Sequence, residues 1–509
     1  MKGFHAFWVL SILIVVSWSF AAVSLTKGPY LMPPQGASIT IRWELAQPAE
    51  TSILYGLPGK AMTKQKASLR AVKNGACLYE ATLVSLRPEW SYRYQVQVEK
   101  TKSRINSFHM PSTIAQNCDF VAMGDSRSNP EVFREALALT SRHRPDAVIS
   151  MGDLVAEGGD FTQWSRFYFE PAESLIARIP FVSTLGDHEG DDDNGELFRH
   201  FLLADQPVDA QWFSFDWGPA HFVSLDYRCP DDPRMIEWFK KDMGKCTARW
   251  KFVYMHRPCY NLGGHRSFWG AFVWPKLFRD FKVDIVFTGH SHQYERFYPI
   301  RPAADPAGWP VTYITTGGAG AGLYEVTQHP FLAAAASEHH IVTVKIRQDT
   351  LLLAALRPDG SAIDQFEMIK SGASYDDAYL SQTVPQERLD LVNAFAQALT
   401  FSMAQIPQID RPYKHTMDVH ICPGMQKVQY TLMLTPSSAE HYKMAAIADT
   451  LESSKHVEAQ IRIFSLGDVI VSGWGDIKPS LQMEAVIFSP FGEDHIVGGA
   501  VEYWPGDEY

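Results

Sequence analysis

The chain has 509 residues, of which 46% are hydrophobic, 20% charged and 13% aromatic. This composition is typical of a globular protein and excludes a disordered or fibrous chain. The net charge of -11 provides no basic field for nucleic acid or an anionic membrane, so we expect no nucleic-acid binding. At about 150 residues per domain, the length predicts about three domains.

The beginning of the chain has the features of an export signal. Lys2 precedes an apolar run from Phe7 to Val16, and small residues then allow cleavage after Ala21 or Ser24. The alternative is a retained anchor helix, but a bilayer needs about 20 apolar residues and this run is shorter. We therefore predict a signal peptide over residues 1–24, a secreted or periplasmic protein, and no stable membrane span after cleavage.

Six cysteines in an exported chain permit disulfide bonds. Cys229 and Cys246 flank a segment with helical spacing, and they are the pair that we favour for a bridge. Buried free thiols are the alternative for the whole set. The sequence does not fix the connectivity.

Residues 25–112 predict a small antiparallel β-sandwich. Runs typical of strands, such as Ser38 to Trp43, Thr51 to Tyr55 and Trp90 to Val98, alternate with Gly, Pro and polar turns. No helical period intervenes, and short strands at this spacing are typical of sandwiches.

Residues 113–370 change to alternating strands and helices, which predicts a sheet layered between helices. Asn129 and Pro130, an N-cap and a first-turn proline, open the first of these helices. Five strands each end at a polar residue that could bind a ligand. Because such strand ends meet at one edge of a sheet, we expect their polar residues to converge. The strand ends are Gly124-Asp125, Gly152-Asp153, Gly186-Asp187-His188-Glu189, His256 and Gly289-His290-Ser291-His292.

Residues 371–509 predict an independent α+β module without an assigned role. It has the size of an ordinary domain and carries no chemical motif. The expected elements are helices over Glu387 to Met403 and near His441 to Leu451, and strands near Val428 to Leu434, Ala459 to Phe464 and Glu484 to Ser489.

Six of the strand-end residues carry carboxylate or imidazole groups, which suit Zn, Mn, Fe or similar ions better than Ca or Mg. Taken alone, a Gly-Asp pair predicts a turn and a single His predicts a structural residue, but the ordered set favours a metal site. Six donors exceed the need of one open catalytic ion. Two ions about 3.5 to 4 Å apart can activate an attacking oxygen and bind a phosphate ester, which predicts phosphoester hydrolysis. The six are Asp125, Asp153, Asp187, His256, His290 and His292.

The ordered motifs resemble those of calcineurin-like metallophosphoesterases and, within them, of purple acid phosphatases. Gly28-Pro29-Tyr30-Leu31, Tyr294-Glu295-Arg296 and the turn from Gly317 to Gly320 support this resemblance. It covers residues 25 to about 370. The resemblance implies a fibronectin type III-like sandwich followed by a four-layer αββα phosphoesterase domain.

The resemblance also implies roles for individual residues. His188 would contact the phosphate oxygens or the leaving group. Independently of the resemblance, His265, in the loop after His256, is a candidate for donating a proton to the departing alkoxide. His265 could equally be a solvated loop residue. The implied ligands are Asp125, Asp153 and His292 for one ion, and Asp153, Asp187, His256 and His290 for the other, with Asp153 bridging.

Three positions depart from the family pattern. Ala156 stands where the purple enzymes have an iron-binding Tyr, so we expect no coloured iron-tyrosinate site. Arg127 replaces a His of other branches, which leaves the first ion three protein ligands, with Glu157 or water as candidates for a fourth. Arg127 is a candidate phosphate clamp, with a surface ion pair as the alternative. Asp187 stands in place of Asn, and its extra negative charge binds cations harder, repels phosphate and lowers Lewis acidity.

We predict a secreted metal-dependent phosphohydrolase that acts on phosphomonoesters through a metal-bound hydroxide at a dinuclear centre. Its cofactors would be two divalent or trivalent transition metal ions, Fe, Zn or Mn, and its partner a phosphate ester. The alternative is an exported metal-binding or scaffold protein with a degenerate phosphoesterase domain, which Ala156, Arg127 and Asp187 motivate. The sequence selects neither the substrate, the metal nor the oligomeric state.

Overall fold

The protein is described from a computed structural model. The described residues are 25–112, 116–203, 209–265, 267–271, 273–303, 305–326, 329, 331–386 and 389, together with the backbone of six strands between residues 413 and 502. The expected signal peptide, residues 1–24, lies outside them. Among the described residues, no helix combines the length and the apolar character needed to cross a bilayer.

The amino-terminal region is built from nine strands in two antiparallel sheets. These strands are β1 Leu25–Leu31, β2 Ile39–Leu45, β3 Thr51–Gly56, β4 Thr63–Lys66, β5 Ser68–Lys73, β6 Ala76–Leu83, β7 Ser91–Val98, β8 Thr101–Lys102 and β9 Asn106–His109. One sheet has the order β1-β2-β6-β5, and the other has the order β4-β3-β7-β8 with β9 also paired to β7. Trp43, Ile53 and Tyr94, contributed by both sheets, are fully buried in one shared core. The predicted β-sandwich is confirmed.

The region that follows alternates strands with helices. Its strands are β10 Asn117–Met123, β11 Ala147–Ser150, β12 Phe181–Ser183, β13 Phe213–Trp217, β14 Ala220–Ser224, β15 Trp250–Met255, β16 Ile285–Thr288, β17 Tyr294–Phe297, β18 Ile300–Arg301, β19 Thr312–Thr316, β20 Leu332–Ala336, β21 Ile341–Arg347, β22 Thr350–Leu356, β23 Ala362–Ser371, β24 Ser374–Tyr375 and β25 Val384–Pro385. Its helices are α1 Pro130–His143, α2 Phe161–Gln163, a π-helix Trp164–Phe169, α3 Glu170–Ile176, α4 Asp187–Asp193, α5 Glu196–Leu202, α6 Pro233–Lys245, α7 Trp274–Asp280 and α8 Asp377–Leu380.

Fourteen of these sixteen strands form two seven-stranded sheets that stack face to face, and β18 pairs with β25 apart from them. The first sheet has the order β12-β11-β10-β21-β22-β23-β24, and the second has the order β13-β14-β15-β16-β19-β17-β20. Phe120 of β10 contacts Phe222 of β14 and Phe252 of β15, with ring centroids 5.0 Å apart in both pairs. Because side chains alternate along a strand, the neighbouring residues face the opposite way and are free to pack against helices.

Helices cover the outer face of each sheet. Phe133 of α1 packs against Phe181 of β12 in the first sheet. Phe278 of α7 packs against Tyr313 of β19 in the second sheet. The order of layers is helix, sheet, sheet, helix, so the predicted αββα architecture is confirmed.

The carboxyl-terminal strands differ from the predicted α+β module. The six strands pair in chain order as one antiparallel sheet. The predicted helix near residues 441–451 is wrong, because pairing with a strand on each side satisfies the backbone and overrides the helix propensity of its alanines. The predicted helix over residues 387–403 lies almost wholly outside the described residues. The strands are β26 Tyr413–His420, β27 Lys427–Pro436, β28 Tyr442–Thr450, β29 Glu458–Ile470, β30 Ile477–Ser489 and β31 Gly492–Glu502.

The favoured disulfide is also wrong. Cys229 and Cys246 are both free thiols. Cys229 precedes α6 and Cys246 caps its carboxyl end. A helix of 13 residues is about 20 Å long, whereas the two Cα atoms of a disulfide lie within about 7 Å of each other.

Candidate metal centre

The predicted ligands follow strands whose ends are in register. In the first sheet, Met123 of β10 pairs with Ser150 of β11, and Ser150 pairs with Ser183 of β12. In the second sheet, Met255 of β15 pairs with Thr288 of β16. Within each sheet these strands are parallel, so the residues just beyond them lie at one edge. The first sheet supplies Asp125, Asp153 and Asp187, and the second sheet supplies His256, His290 and His292.

The two sheets bring the six residues together in two clusters. Within each cluster, one ligand atom from every residue lies within 4.8 Å of the others. The first cluster is Asp125, Asp153 and His292, and the second cluster is Asp187, His256 and His290.

Asp153 connects the two clusters. Its Oδ1 lies 3.5 Å from Nε2 of His256, which belongs to the second cluster. It also forms a third group of close ligand atoms with Asp187 and His188. A single carboxylate is therefore within reach of both clusters.

Glycines allow the strand ends to approach each other closely. A Cβ atom on Gly186 would lie 2.1 Å from the backbone nitrogen of Asp153, and one on Gly289 would lie 2.4 Å from Oδ2 of Asp125. Asp125 and Asp153 adopt φ values of 58° and 56°, and His290 adopts 66°. Such left-handed conformations are costly outside glycine and mark a tightly determined site.

Two of the histidines are oriented by backbone carbonyl groups. Nδ1–H of His256 donates to the carbonyl of Met151 at 2.7 Å, and Nδ1–H of His292 donates to the carbonyl of Gly322 at 2.7 Å. In the neutral ring this leaves Nε2 as the acceptor, and Nε2 of His256 lies 3.1 Å from Oδ1 of Asp187. The same arrangement fixes the tautomer of histidines that bind metals.

His290 is turned the other way. Its Nδ1 lies 2.9 Å from Oδ2 of Asp187, and its backbone N–H donates to both carboxylate oxygens of Asp125 at 3.1 Å. His290 therefore presents Nδ1 to the second cluster while its backbone positions a carboxylate of the first.

The site is buried and rich in carboxylates. Asp125, Asp153 and Asp187 are 0%, 1% and 9% exposed. Burial raises the pKa of Asp153, and the charges of Asp125 and Asp187 raise it further. Burial opposes ionisation of Asp187 as well, but His256 and His290 hold the pKa of this carboxyl well below its usual range. A cation within the clusters would relieve this concentration of carboxylates.

The residues present fit a pair of transition metal ions. Carboxylate and imidazole are the donors that such ions accept, and each cluster supplies three of them. The shared position of Asp153 suits a carboxylate that bridges two ions. The identity of the metal is not decided by these donors, because several ions accept them.

Arg127 lies against the first cluster. Its Nε–H donates to Oδ2 of Asp153 at 3.1 Å, and its Nη2 lies 3.4 Å from Nε2 of His292. The side chain is 17% exposed. Arg127 therefore forms an ion pair inside the site rather than on the outer surface.

His188 and His265 both line the same cavity. Nδ1–H of His188 donates to the carbonyl of Ala156 at 2.6 Å, and its Nε2 lies 3.9 Å from Oδ2 of Asp153. His265 stacks on His290 with ring centroids 4.2 Å apart. Partial burial, together with the neighbouring His290, lowers the pKa of His265 to about 4.

Three further residues shape the site, and the sequence motifs assign no role to any of them. The carboxylate of Glu189, which is fully buried, accepts four backbone N–H bonds that tie the Asp153 turn to the Gly186 turn. The ring of Tyr324 stacks on His292 at 4.5 Å and 10°. The third residue is Arg257, whose guanidinium donates to Oδ2 of Asp187. Glu189 and Arg257 lie close to predicted ligands in sequence, which was an available signal, whereas nothing local marked Tyr324.

The clusters open into a cavity of about 620 Å³. Its size suits a small or medium ligand. A larger groove of about 1410 Å³ contains none of the predicted ligands. Besides the residues already described, the wall of the smaller cavity includes Glu157, Asp191 and Asp192.

Comparisons with known proteins agree with this architecture. The family model for calcineurin-like phosphoesterases matches residues 118–294. Acid phosphatase type 7 of Mus musculus is 25% identical over 344 residues, which cover 57% of this chain and 76% of that protein. A protein of Arabidopsis thaliana named probable inactive purple acid phosphatase 1 is 25% identical over 286 residues, covering 46% of this chain and 45% of that protein.

A solved structure has the same fold. Purple acid phosphatase from seeds of yellow lupin, Lupinus luteus, superposes with a TM-score of 0.59 at 17% identity. The superposition covers 70% of this chain and 77% of the lupin chain. The predicted fold class is confirmed.

Proposed function

We propose, from the premise that this chain contains a calcineurin-like phosphoesterase domain and is related to purple acid phosphatases, that it hydrolyses phosphate monoesters with a pair of bound metal ions. The observation that carries the proposal is the position of Asp153 between two clusters of carboxylate and imidazole donors. A carboxylate shared in this way is what a dinuclear hydrolytic centre requires.

Each ion has a defined set of candidate ligands. When bound, the ions would supply Lewis acidity, which activates water for attack on phosphorus and neutralises charge on the phosphate. The protein contributes the orientation of the donors, through the backbone carbonyls that hold His256 and His292. The proposed ligands are Asp125, Asp153 and His292 for the first ion, and Asp153, Asp187, His256 and His290 for the second.

Arg127 and His188 would bind the phosphate group. Asp153 holds Nε of Arg127, and although Nη1 and Nη2 each make one further contact, each carries a second N–H that can donate to a phosphate oxygen. His188 is anchored through Nδ1 by the carbonyl of Ala156, so its Nε2 is available to an oxygen of the substrate. Both side chains line the cavity.

His265 would transfer a proton to the departing alkoxide. The ring lines the cavity and lies against His290. Because the pKa of His265 is lowered to about 4, the imidazole is neutral at pH 7 and protonated only in acidic solution. A donor role for His265 would therefore favour activity at acidic pH.

The test is a single substitution in the second cluster. Purified protein should contain close to two transition ions and should hydrolyse p-nitrophenyl phosphate, and His256→Ala should lose most of both properties. His143→Ala is the matched control, because this histidine lies in the last turn of α1, away from the clusters. Normal metal content and turnover in His256→Ala would contradict the proposal.

A catalytically weakened metal-binding or scaffold protein is the second candidate. It is favoured by Ala156, Arg127 and Asp187, which depart from the family pattern, and by the relative from Arabidopsis whose name describes it as inactive. Full metal occupancy without turnover of any of a broad panel of phosphoesters would favour this candidate. Activity gained by Asp187→Asn alone would instead identify an enzyme weakened at one ligand.

We further propose that residues 1–24 direct export and that the leading sandwich is of the fibronectin type III kind. The apolar run that begins at Phe7 supports the first proposal. The two antiparallel sheets support the second. Amino-terminal sequencing of protein recovered outside the producing cell should begin after Ala21 or Ser24, and a start at Met1 would refute cleavage.

A further inference from the structure

Asp187 uses its two carboxylate oxygens differently. Its Oδ1 lies 3.1 Å from Nε2 of His256, within the second cluster. Its Oδ2 accepts hydrogen bonds from Nε and Nη2 of Arg257 at 3.2 and 3.0 Å, and lies 2.9 Å from Nδ1 of His290. Only one oxygen therefore faces the cluster without an arginine partner, while the other belongs to an ion pair.

The position of Arg257 is determined by other groups as well. Its guanidinium carbon lies 5.1 Å from the centre of the Tyr227 ring, and its Nη2 lies 3.7 Å from Oδ2 of Asp191. The Tyr227 hydroxyl donates to Oδ1 of Asp191 at 2.5 Å and so fixes that carboxylate. A planar guanidinium that contacts a ring and two carboxylates is held in one orientation.

The charges explain why such a pair matters. A carboxylate at position 187, where the resemblance implies an amide, adds one negative charge beside the proposed ions. Alone, this charge would bind cations more tightly and repel the phosphate of a substrate. Arg257 places one positive charge 3.0 Å from the same carboxylate. The pair as a whole is neutral, as an asparagine would be.

We propose that Arg257 is a positioning residue that neutralises Asp187, so that the two side chains act together as one uncharged ligand and preserve the affinity of the site for phosphate. The inference rests on the proposed function for the nature of the substrate. It also accounts for how a phosphoesterase can carry aspartate at this position.

The experiment is a double-mutant cycle on the full chain with Arg257→Met, Asp187→Asn and the combined variant. Calorimetric titrations measure the binding of Mn²⁺ to protein stripped of metal, and of inorganic phosphate to metal-saturated protein. In Arg257→Met we expect Mn²⁺ to bind about threefold to tenfold more tightly and phosphate to bind about tenfold more weakly. Both constants should change in the opposite directions in Asp187→Asn.

The combined variant should return both constants to within about threefold of the wild type, because the two charges leave together. Arg257→Lys is the conservative variant, which keeps the charge without the two-pronged hydrogen bond, and it should restore part of the phosphate affinity. Opposite shifts for the cation and the anion cannot arise from misfolding, which would weaken both.

The outcomes that overturn the inference are distinct. If the combined variant keeps the Mn²⁺ and phosphate constants of Arg257→Met instead of returning to those of the wild type, Arg257 does not balance the charge of Asp187, and the absence of any effect of Arg257→Met would mean the same. The inference would also be overturned if neither the wild type nor any of the variants bound Mn²⁺. If the wild type binds Mn²⁺ and phosphate but turns over no phosphoester, the proposed function fails, while the binding cycle still decides the inference.

Discussion

His256 and His221 lie on adjacent strands of the second sheet, and each has two aspartates in reach. At the carboxyl end of β15, His256 donates from Nδ1 to a backbone carbonyl, so that only Nε2 faces Asp153 and Asp187, at 3.5 and 3.1 Å. In β14, His221 has Nδ1 2.7 Å from Asp216 and Nε2 2.9 Å from Asp242.

The difference separates a ligand site from a structural ion pair. Both nitrogens of His221 are engaged, each by its own carboxylate, and no lone pair remains for a metal. Burial disfavours the cation, but the hydrogen bonds from His221 to Asp216 and Asp242 raise the pKa of His221 to about 9. The carboxylates that face His256 are shared with further imidazoles, Asp187 with His290 and Asp153 with His188. A histidine among aspartates therefore suits a metal where a backbone carbonyl orients one ring nitrogen and the other faces carboxylates that further imidazoles also contact.

The largest expected effect follows from removing the carboxylate that both clusters share. Asp153→Ala should lower kcat/KM for p-nitrophenyl phosphate by about a thousandfold or more, because charge stabilisation by metals contributes several kcal/mol to the transition state. Metal analysis should find fewer than two ions per chain. Asp216→Ala, which removes a carboxylate from His221, is the control and should retain both ions. If Asp153→Ala still bound two ions, the surroundings of His256 would not differ from those of His221 in metal binding.

Removal of metal should destabilise the wild type. Ions that bind only the folded chain at a thousand times their Kd stabilise it by about 4 kcal/mol, which corresponds to roughly 10 °C in Tm for a domain of this size. Chelation should lower Tm by that amount in the wild type and in His221→Gln, but hardly at all in His256→Ala. If chelation left the Tm of the wild type unchanged, the distinction between a metal-binding His256 and a structural His221 would fail.

The ion pair of His221 should make stability depend on pH. The folded pKa of about 9 exceeds the usual value near 6.5, so the stabilisation is complete below pH 6.5 and is lost as pH rises through 9. Its size is about 1 to 3 kcal/mol, since Asp216 is largely exposed and therefore screened. Thermal melts of the wild type and of His221→Gln should differ most at about pH 6 and converge at about pH 9.5. A difference independent of pH would show that the ring acts by packing alone.

The convergence of the six donors could be predicted because its signals are local. A strand that ends in Gly-Asp marks both the element and the donor, and parallel topology then brings such ends together, as it does for Asp125 and Asp153. The partners of these donors are marked less clearly, because closeness to a donor in sequence, as for Arg257 beside His256, does not say which donor is contacted. Tyr324 reaches His292 only through the tertiary fold. The pairing of Arg257 with Asp187 joins residues 70 positions apart.

The two wrong predictions have a related cause. Residues 442–450 have a sequence that tolerates a helix, and the partner strands on both sides decide otherwise. The bridge between Cys229 and Cys246 followed from their positions around a helix, which in three dimensions keeps them apart. In both cases the prediction used a short span of sequence. The structure depends instead on strand pairing with distant segments in the first case and on the length of helix α6 in the second.

The smallest expected effect concerns Arg127, a cation that already contacts the first cluster. Arg127→Met should raise KM for p-nitrophenyl phosphate by about tenfold with kcat changed by less than about threefold, since a charge-assisted hydrogen bond to a partly exposed phosphate contributes at the low end of its range. The KM of Arg127→Lys should lie between those of the wild type and of Arg127→Met, because lysine keeps the charge but not the forked geometry. Unchanged KM together with tighter metal binding in Arg127→Met would instead make Arg127 a counter-ion of Asp153. Arg127 would then pair with a carboxylate at the carboxyl end of the strands, as His221 pairs with Asp216 and Asp242 at the opposite end.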